Sequence, residues 1–286
     1  MTTAYSDEAD DLVVGKGVTI GEGTRFSGGR LVIGDGTRIG RNVEIRVTEE
    51  LSLGRNSKIG ENAIVRGRKI HTGRELYMNH DAEIGGGSCF EPTSQLAIGH
   101  WFHMGSYAIV NTAMPVEIGD EVGLGRMTNV YTHGAYLSEI DGFPVKFAPV
   151  KIGNRVWIPS ATVNPGVTIG DDVVVGVGSV VTADLPSGCL ALGVPAKVVR
   201  EHAFPAPMDR EAAMTRIGQI LADGGVAHER KPGSWQVSVG SSVFDLRART
   251  ADGAADGTSE KARDLLRRHG IRLKAEVVDG RYRTWQ

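Results

Sequence analysis

The sequence predicts an all-β chain wound into a parallel solenoid, followed by a small α+β domain. Three observations lead there. Glycine accounts for 39 of 286 residues, about twice ordinary usage. Aliphatic–glycine pairs recur at six-residue spacing, as in Val14-Gly15 and Ile20-Gly21, Ile33-Gly34 and Ile39-Gly40, Leu53-Gly54 and Ile59-Gly60, Ile118-Gly119 and Leu124-Gly125, and Ile169-Gly170 and Val175-Gly176. The pattern stops near Arg200, and Pro205 and Pro207 then mark a linker.

Six is not a helical period, because residues i and i+6 fall about 240° apart on an α-helix. Short β-branched runs between glycine turns read as strands. Three such hexads close one coil of a prism. One aliphatic residue per hexad points to the axis, and a small residue four places later fits the tight corner. Thr24, Thr37, Ser57, Ala63, Val122, Val156, Val173 and Ser179 occupy those places. Stacked coils lie about 4.8 Å apart. Residues 13–200, at 18 per coil, make about ten coils.

The remaining segments follow in order. Residues 1–12 are polar and acidic and are read as a separate N-terminal segment. Residues 64–83 and 86–97 fit the hexads poorly. The longest gap is a loop over 131–149, carrying His133, Glu139, Asp141 and the aromatics Tyr131, Tyr136, Phe143 and Phe147. A loop extruded from a regular solenoid reads as functional. In 201–286, Asp209 is placed to cap a helix ending at Gly224-Gly225. Strands WQVSV and VFDLRART come next, then a helix SEKARDLLRR closed by Gly270 and a hairpin around Asp279-Gly280.

Composition excludes several classes. The chain has 32 basic and 34 acidic residues, without the basic excess of a nucleic-acid binder. Two cysteines, Cys89 and Cys189, make no disulfide framework. The N-terminus does not read as a signal peptide, and no apolar run approaches the ~20 residues needed to span a membrane. The default expectation is a soluble cytoplasmic protein.

The stretch Val150–Arg200 carries Trp157-Ile158, then NPGVTIG from Asn164, GVGSVVT from Gly176 and GVPAKV from Gly193. In these motifs it resembles the hexapeptide-repeat acyltransferases, most closely the galactoside and maltose O-acetyltransferase branch. The resemblance implies a left-handed parallel β-helix. It further implies acetyl transfer from coenzyme A to a hydroxyl or amine of a sugar-like or antibiotic-like molecule, in a homotrimer with active sites between subunits. The family's base is a histidine about two dozen residues before the Trp, which maps to His133, 24 residues before Trp157. A histidine suits the task because its neutral form is available near neutral pH. Its tautomer needs a partner for the second ring nitrogen, for which Glu139, Asp141 or a backbone carbonyl is expected. A backbone N–H of an adjacent coil is the expected oxyanion donor.

Coenzyme A contacts carry over to Ser160, Gly178, Thr182, Pro195 and Lys197. Acceptor contacts are expected from His103, Tyr131, Tyr136 and Trp157. An asparagine that touches the acceptor in the family has His103, Ser106 or Asn111 as counterparts. The chain departs from the family at Pro159, where a glycine is usual. A related branch, the γ-class carbonic anhydrases, binds zinc through three histidines. His80, His100 and His103 are the only cluster of that kind, but their spacing is wrong for that branch, and no metal is expected. The alternatives are thus a zinc enzyme of that type or a non-catalytic trimeric scaffold.

Overall fold

A computed structural model describes residues 5–285. The chain divides into two compact units, one up to Pro205 and one from Ala206.

The first unit is a parallel β-helix. Thr19, Arg38, Lys58, Tyr77, His103, Gly123, Trp157, Val174 and Leu190 stack as successive rungs of one face. They mark nine coils where the hexad arithmetic predicts ten. Most of the difference lies in two insertions, between Tyr77 and His103 and between Gly123 and Trp157, and a little in coil length. Thr19 to Arg38 is 19 residues and Arg38 to Lys58 is 20, against the 18 of three strict hexads. In the first four coils the strands Tyr5–Val14, Thr24–Ile33, Glu44–Leu53 and Ile64–Thr72 run on through a second corner and cover two faces. Residues 64–72, irregular by hexad count, are therefore ordinary wall. Strand Tyr5–Val14 pairs in parallel with Thr24–Ile33, so the winding begins before residue 13. Residues 5–12 belong to the first coil, and residues 1–4 of the expected polar segment lie outside the described residues. Asp7, Glu8, Asp10 and Asp11 load this end strand with charge, which protects an open sheet edge.

The axial residues are those of the repeat. Ile33, Ile39, Leu53, Ile59, Ile84, Ile98, Ile118, Leu124, Ile152, Ile169 and Val175 are buried, each worth about 1.5–3 kcal/mol. Val14 is 41% exposed because no coil lies beneath it. All eight small corner residues are buried.

Two insertions break the stack. Tyr77 to His103 takes 26 residues because residues 86–94 leave the wall. Gly123 to Trp157 takes 34 because of the loop after Thr132. Hairpin Leu190–Gly193/Ala196–Arg200 closes the last coil. The unit extends to 205, past the expected 200, because the N–H groups of Ala203 and Phe204 donate to the Gly188 carbonyl at 2.6 and 3.2 Å.

The second unit holds helices Arg210–Asp223 and Gly257–Arg268, a four-stranded antiparallel sheet over residues 229–253, and hairpin Ala275–Val278/Arg281–Thr284. Asp209 caps the first helix through the Ala212 N–H at 3.0 Å. Leu221, Val237, Phe244 and Leu266 form its core. No helix among the described residues is long and apolar enough to cross a membrane.

Candidate active site

Strand Asn129–Val130 leads through Tyr131 and buried Thr132 into the long loop, which opens with a two-rung antiparallel ladder, His133 to Phe147 and Gly134 to Lys146. The Phe147 ring stacks on the His133 imidazole, with centroids 5.3 Å apart and planes 14° apart. This ladder holds the imidazole at the root of the loop, half-buried.

One coil earlier, buried Asn111 ends strand Ile109–Asn111. Its Nδ2 donates to the carbonyls of Gly85 at 2.9 Å and Gly87 at 3.0 Å. Two carbonyl acceptors require the amide nitrogen on that side, so Oδ1 faces the other way. There it accepts from the Thr132 hydroxyl at 2.5 Å and meets His133 Nδ1 at 2.9 Å. Oδ1 has no proton to give. Nδ1 therefore carries a hydrogen, and in the neutral tautomer the lone pair sits on Nε2. The expected partners Glu139 and Asp141 do not serve here: they lie in an exposed 3-10 turn.

Nε2 points at Gly87, where an added Cβ would stand 3.4 Å away. The chain reaches that place through Gly86, whose φ of +80° is strained for other residues and whose Cβ would come within 3.0 Å of Asn111 Nδ2. The triple glycine 85–87 at a break in the hexads was the available signal for this element, and sequence reasoning missed its role. It also left Asn111 among three counterparts; of these, Asn111 meets His133.

The other expected residues fall into separate groups. Tyr131 follows Val130 on the same strand line and is 37% exposed, whereas Tyr136 stands at the loop tip, 98% exposed. His103 and Trp157 lie on another face. His103 stacks on Tyr77 with centroids 5.3 Å apart, and the Trp157 ring fills the place of the missing side chain of Gly123, 2.5 Å from where its Cβ would stand. Gly123→Leu is expected to swing the half-exposed indole outward. Stability should then change by less than about 1 kcal/mol, while tryptophan emission shifts to the red. An unchanged spectrum would contradict this packing.

Ser160 and Gly178 share a corner, where the Gly178 N–H donates to the Ser160 carbonyl at 2.7 Å. Pro195 and Lys197 are exposed on the closing hairpin, tied to the same corner by the Gly193 N–H on Ser179 Oγ at 3.1 Å. Thr182 is exposed at the far end of strand Ser179–Val181. Val177, Leu192 and Val194 leave apolar surface exposed at this end. Pro159 occupies the glycine position of the motif, and its carbonyl stands where a Gly125 side chain would be.

His80, His100 and His103 have different partners. His80 Nδ1 pairs with Asp81 at 2.7 Å, and His100 Nδ1 accepts the Arg74 N–H at 3.0 Å. Among the described residues no three His, Cys, Asp or Glu gather as a metal-binding group.

Residues 149–183 match the family model described as bacterial transferase hexapeptide (six repeats). Galactoside O-acetyltransferase of Escherichia coli K12 is 35% identical over 131 residues, 42% of this chain and 64% of that protein. Over these residues the chain is similar to hexapeptide-repeat acetyltransferases. The match spans just under two thirds of that relative's length. Among solved structures, UDP-N-acetylglucosamine O-acyltransferase of Moraxella catarrhalis shares the fold at 15% identity and TM-score 0.53, over 79% of this chain and 85% of its own. Galactoside acetyltransferase in complex with coenzyme A is 29% identical at TM-score 0.32, over 54% and 70% of the two chains.

Proposed function

We propose that this chain moves an acetyl group from acetyl-coenzyme A to a hydroxyl or amine of a sugar-like small molecule, with His133 as general base. The observation that carries the reading is the Asn111–His133 pair. In the neutral ring it puts the proton on Nδ1 and turns the lone pair of Nε2 toward Gly87, as a base for an incoming hydroxyl requires. The acceptor oxygen attacks the thioester carbonyl carbon as Nε2 takes its proton. The C–S bond then breaks, and the imidazolium returns the proton to the departing thiolate. Asn111 Oδ1 stabilises the transient imidazolium through Nδ1–H without itself becoming protonated, and Phe147 keeps water from one ring face.

The corner of Ser160 and Gly178 and the hairpin with Pro195 and Lys197 suit the donor. Small residues and a glycine at φ +74° leave room for an extended arm against the backbone, and Lys197 and Thr182 supply polar groups for its phosphates. Tyr131 lies two residues before the base, whereas Tyr136 is almost fully exposed in the loop and His103 and Trp157 stand on another face. In this reading they act across a subunit boundary of a homotrimer. The reading is tested by thiol release from acetyl-coenzyme A against sugars, nucleotide sugars and aminoglycosides. Acceptor-dependent release is expected with at least one hydroxylated ring. No release with any acceptor, in a protein shown to be folded, would overturn it.

A further inference from the structure

A groove of about 480 Å³ lies on the outer wall of the first coils, lined by Glu8, Arg25, Ser27, Glu44, Arg46 and Thr48 among others. Strand register connects it to Asn111. Glu8 pairs with Ser27, Ser27 with Arg46, and Arg46 with Arg66. The next rung is Gly85, whose Cβ would touch Arg66, and Gly85 pairs with Asn111. The groove therefore lies on the same column of register positions as Asn111, the residue that holds the imidazole. Arg46 lies three rungs from Asn111, about 14 Å at ~4.8 Å per coil.

The insertion over 86–94 forms a saddle between them. Its Gly87 end faces His133 Nε2, and at its other end Phe90 lies under the Arg46 guanidinium, 4.8 Å from ring centroid to Cζ. A ligand spanning the two places would cross this saddle.

The lining states the ligand's chemistry. Arg46 has no carboxylate partner among the described residues. Glu44 already takes two hydrogen bonds from Arg66, at 2.6 and 2.8 Å, which leaves Arg25 at 3.5 Å from it and 66% exposed. Glu8 is exposed and outside any ion pair among the described residues. Guanidiniums only donate, carboxylates only accept, and Ser27 and Thr48 do both. Such a mixture, balanced in charge, matches hydroxyls that donate and accept in turn, and it repels a polyanion at Glu8 and Glu44.

We propose that the groove is a remote acceptor subsite for an uncharged oligosaccharide whose reacting unit sits at His133. This rests on the reading of His133 as the base. The test measures thiol release from acetyl-coenzyme A with β-1,4-galactose, α-1,4-glucose and β-1,4-N-acetylglucosamine oligomers of one to six units, and with oligogalacturonate of the same lengths.

At least one neutral series should gain about tenfold or more in kcat/KM from one unit to the longest, the worth of one or two hydrogen bonds. Arg46→Ala and Glu8→Gln should each remove most of that gain while leaving the single unit unchanged. Flat length dependence in all three neutral series, or a gain only with oligogalacturonate, would overturn the subsite. Gains that survive both variants would do so as well. His133→Ala separates the two readings. Loss of release on short and long acceptors alike keeps the base, whatever the length series shows; retained release would bring down both.

Discussion

His133→Ala is expected to lower acetyl transfer by about 10²–10⁴-fold in kcat, the usual worth of a positioned general base. The loss should fall on kcat and not on KM for the thioester, because the donor's proposed contacts lie on the Ser160–Gly178 corner and the closing hairpin, away from the imidazole. The fold should tolerate the change. The side chain is half-buried, and Asn111 keeps its bonds to Gly85, Gly87 and Thr132. A melting temperature close to that of the unaltered protein is therefore part of the expectation. Added imidazole should restore part of the rate through the vacated space. Full turnover in the variant, measured by thiol release at saturating acceptor, would remove His133 from the chemistry.

Altering Asn111 should cost nearly as much by a different route. In Asn111→Ala the carbonyls of Gly85 and Gly87 lose a donor, and the Thr132 hydroxyl and His133 Nδ1–H lose an acceptor. The site is buried, and each group left without a partner costs about 1–3 kcal/mol. Stability should fall, and the insertion over 86–94 should loosen. Asn111→Asp separates positioning from packing. It keeps the volume and the acceptor toward His133 but cannot donate to the two carbonyls. A carboxylate beside the ring favours the imidazolium, so more hydroxide is needed to free Nε2. The acidic limb of the kcat/KM profile should therefore move to higher pH. A purely structural role for Asn111 predicts loss of stability with an unmoved pH profile, and that result would sink the tautomer argument.

The wall of the helix was open to reading from the chain. Ile33, Ile39, Leu53 and Ile59 declare themselves through glycine partners six residues apart, and the small residues from Thr24 to Ser179 follow by the same count; all are buried. Hexad counting failed where it assumed three strict hexads per coil. The strands Thr24–Ile33 and Glu44–Leu53 run on through a corner and lengthen their coils only slightly, whereas the insertions over 86–94 and after Thr132 take the larger share of residues out of the stack. It also failed at the N-terminus. The acidic run 7–11 reads as solvent-exposed tail, yet an end strand needs only one buried edge and can carry charge on the other.

The candidate site divides along the same line. His133 is local information: a short motif, a loop and a spacing to Trp157. Its surroundings are not local. Gly87, Asn111 and His133 come from three successive coils, separated by 24 and 22 residues of sequence, and insertions make those separations irregular.

The repeat alone determined the parallel winding, the axial residues and the place where the loop leaves the wall, because a six-residue period admits one inward direction per face. Tertiary structure alone decided which side chain holds the imidazole and which groove lies on that side chain's column. Both depend on the register between coils, and register is set by how many residues each insertion removes from the stack, a quantity that no single coil contains.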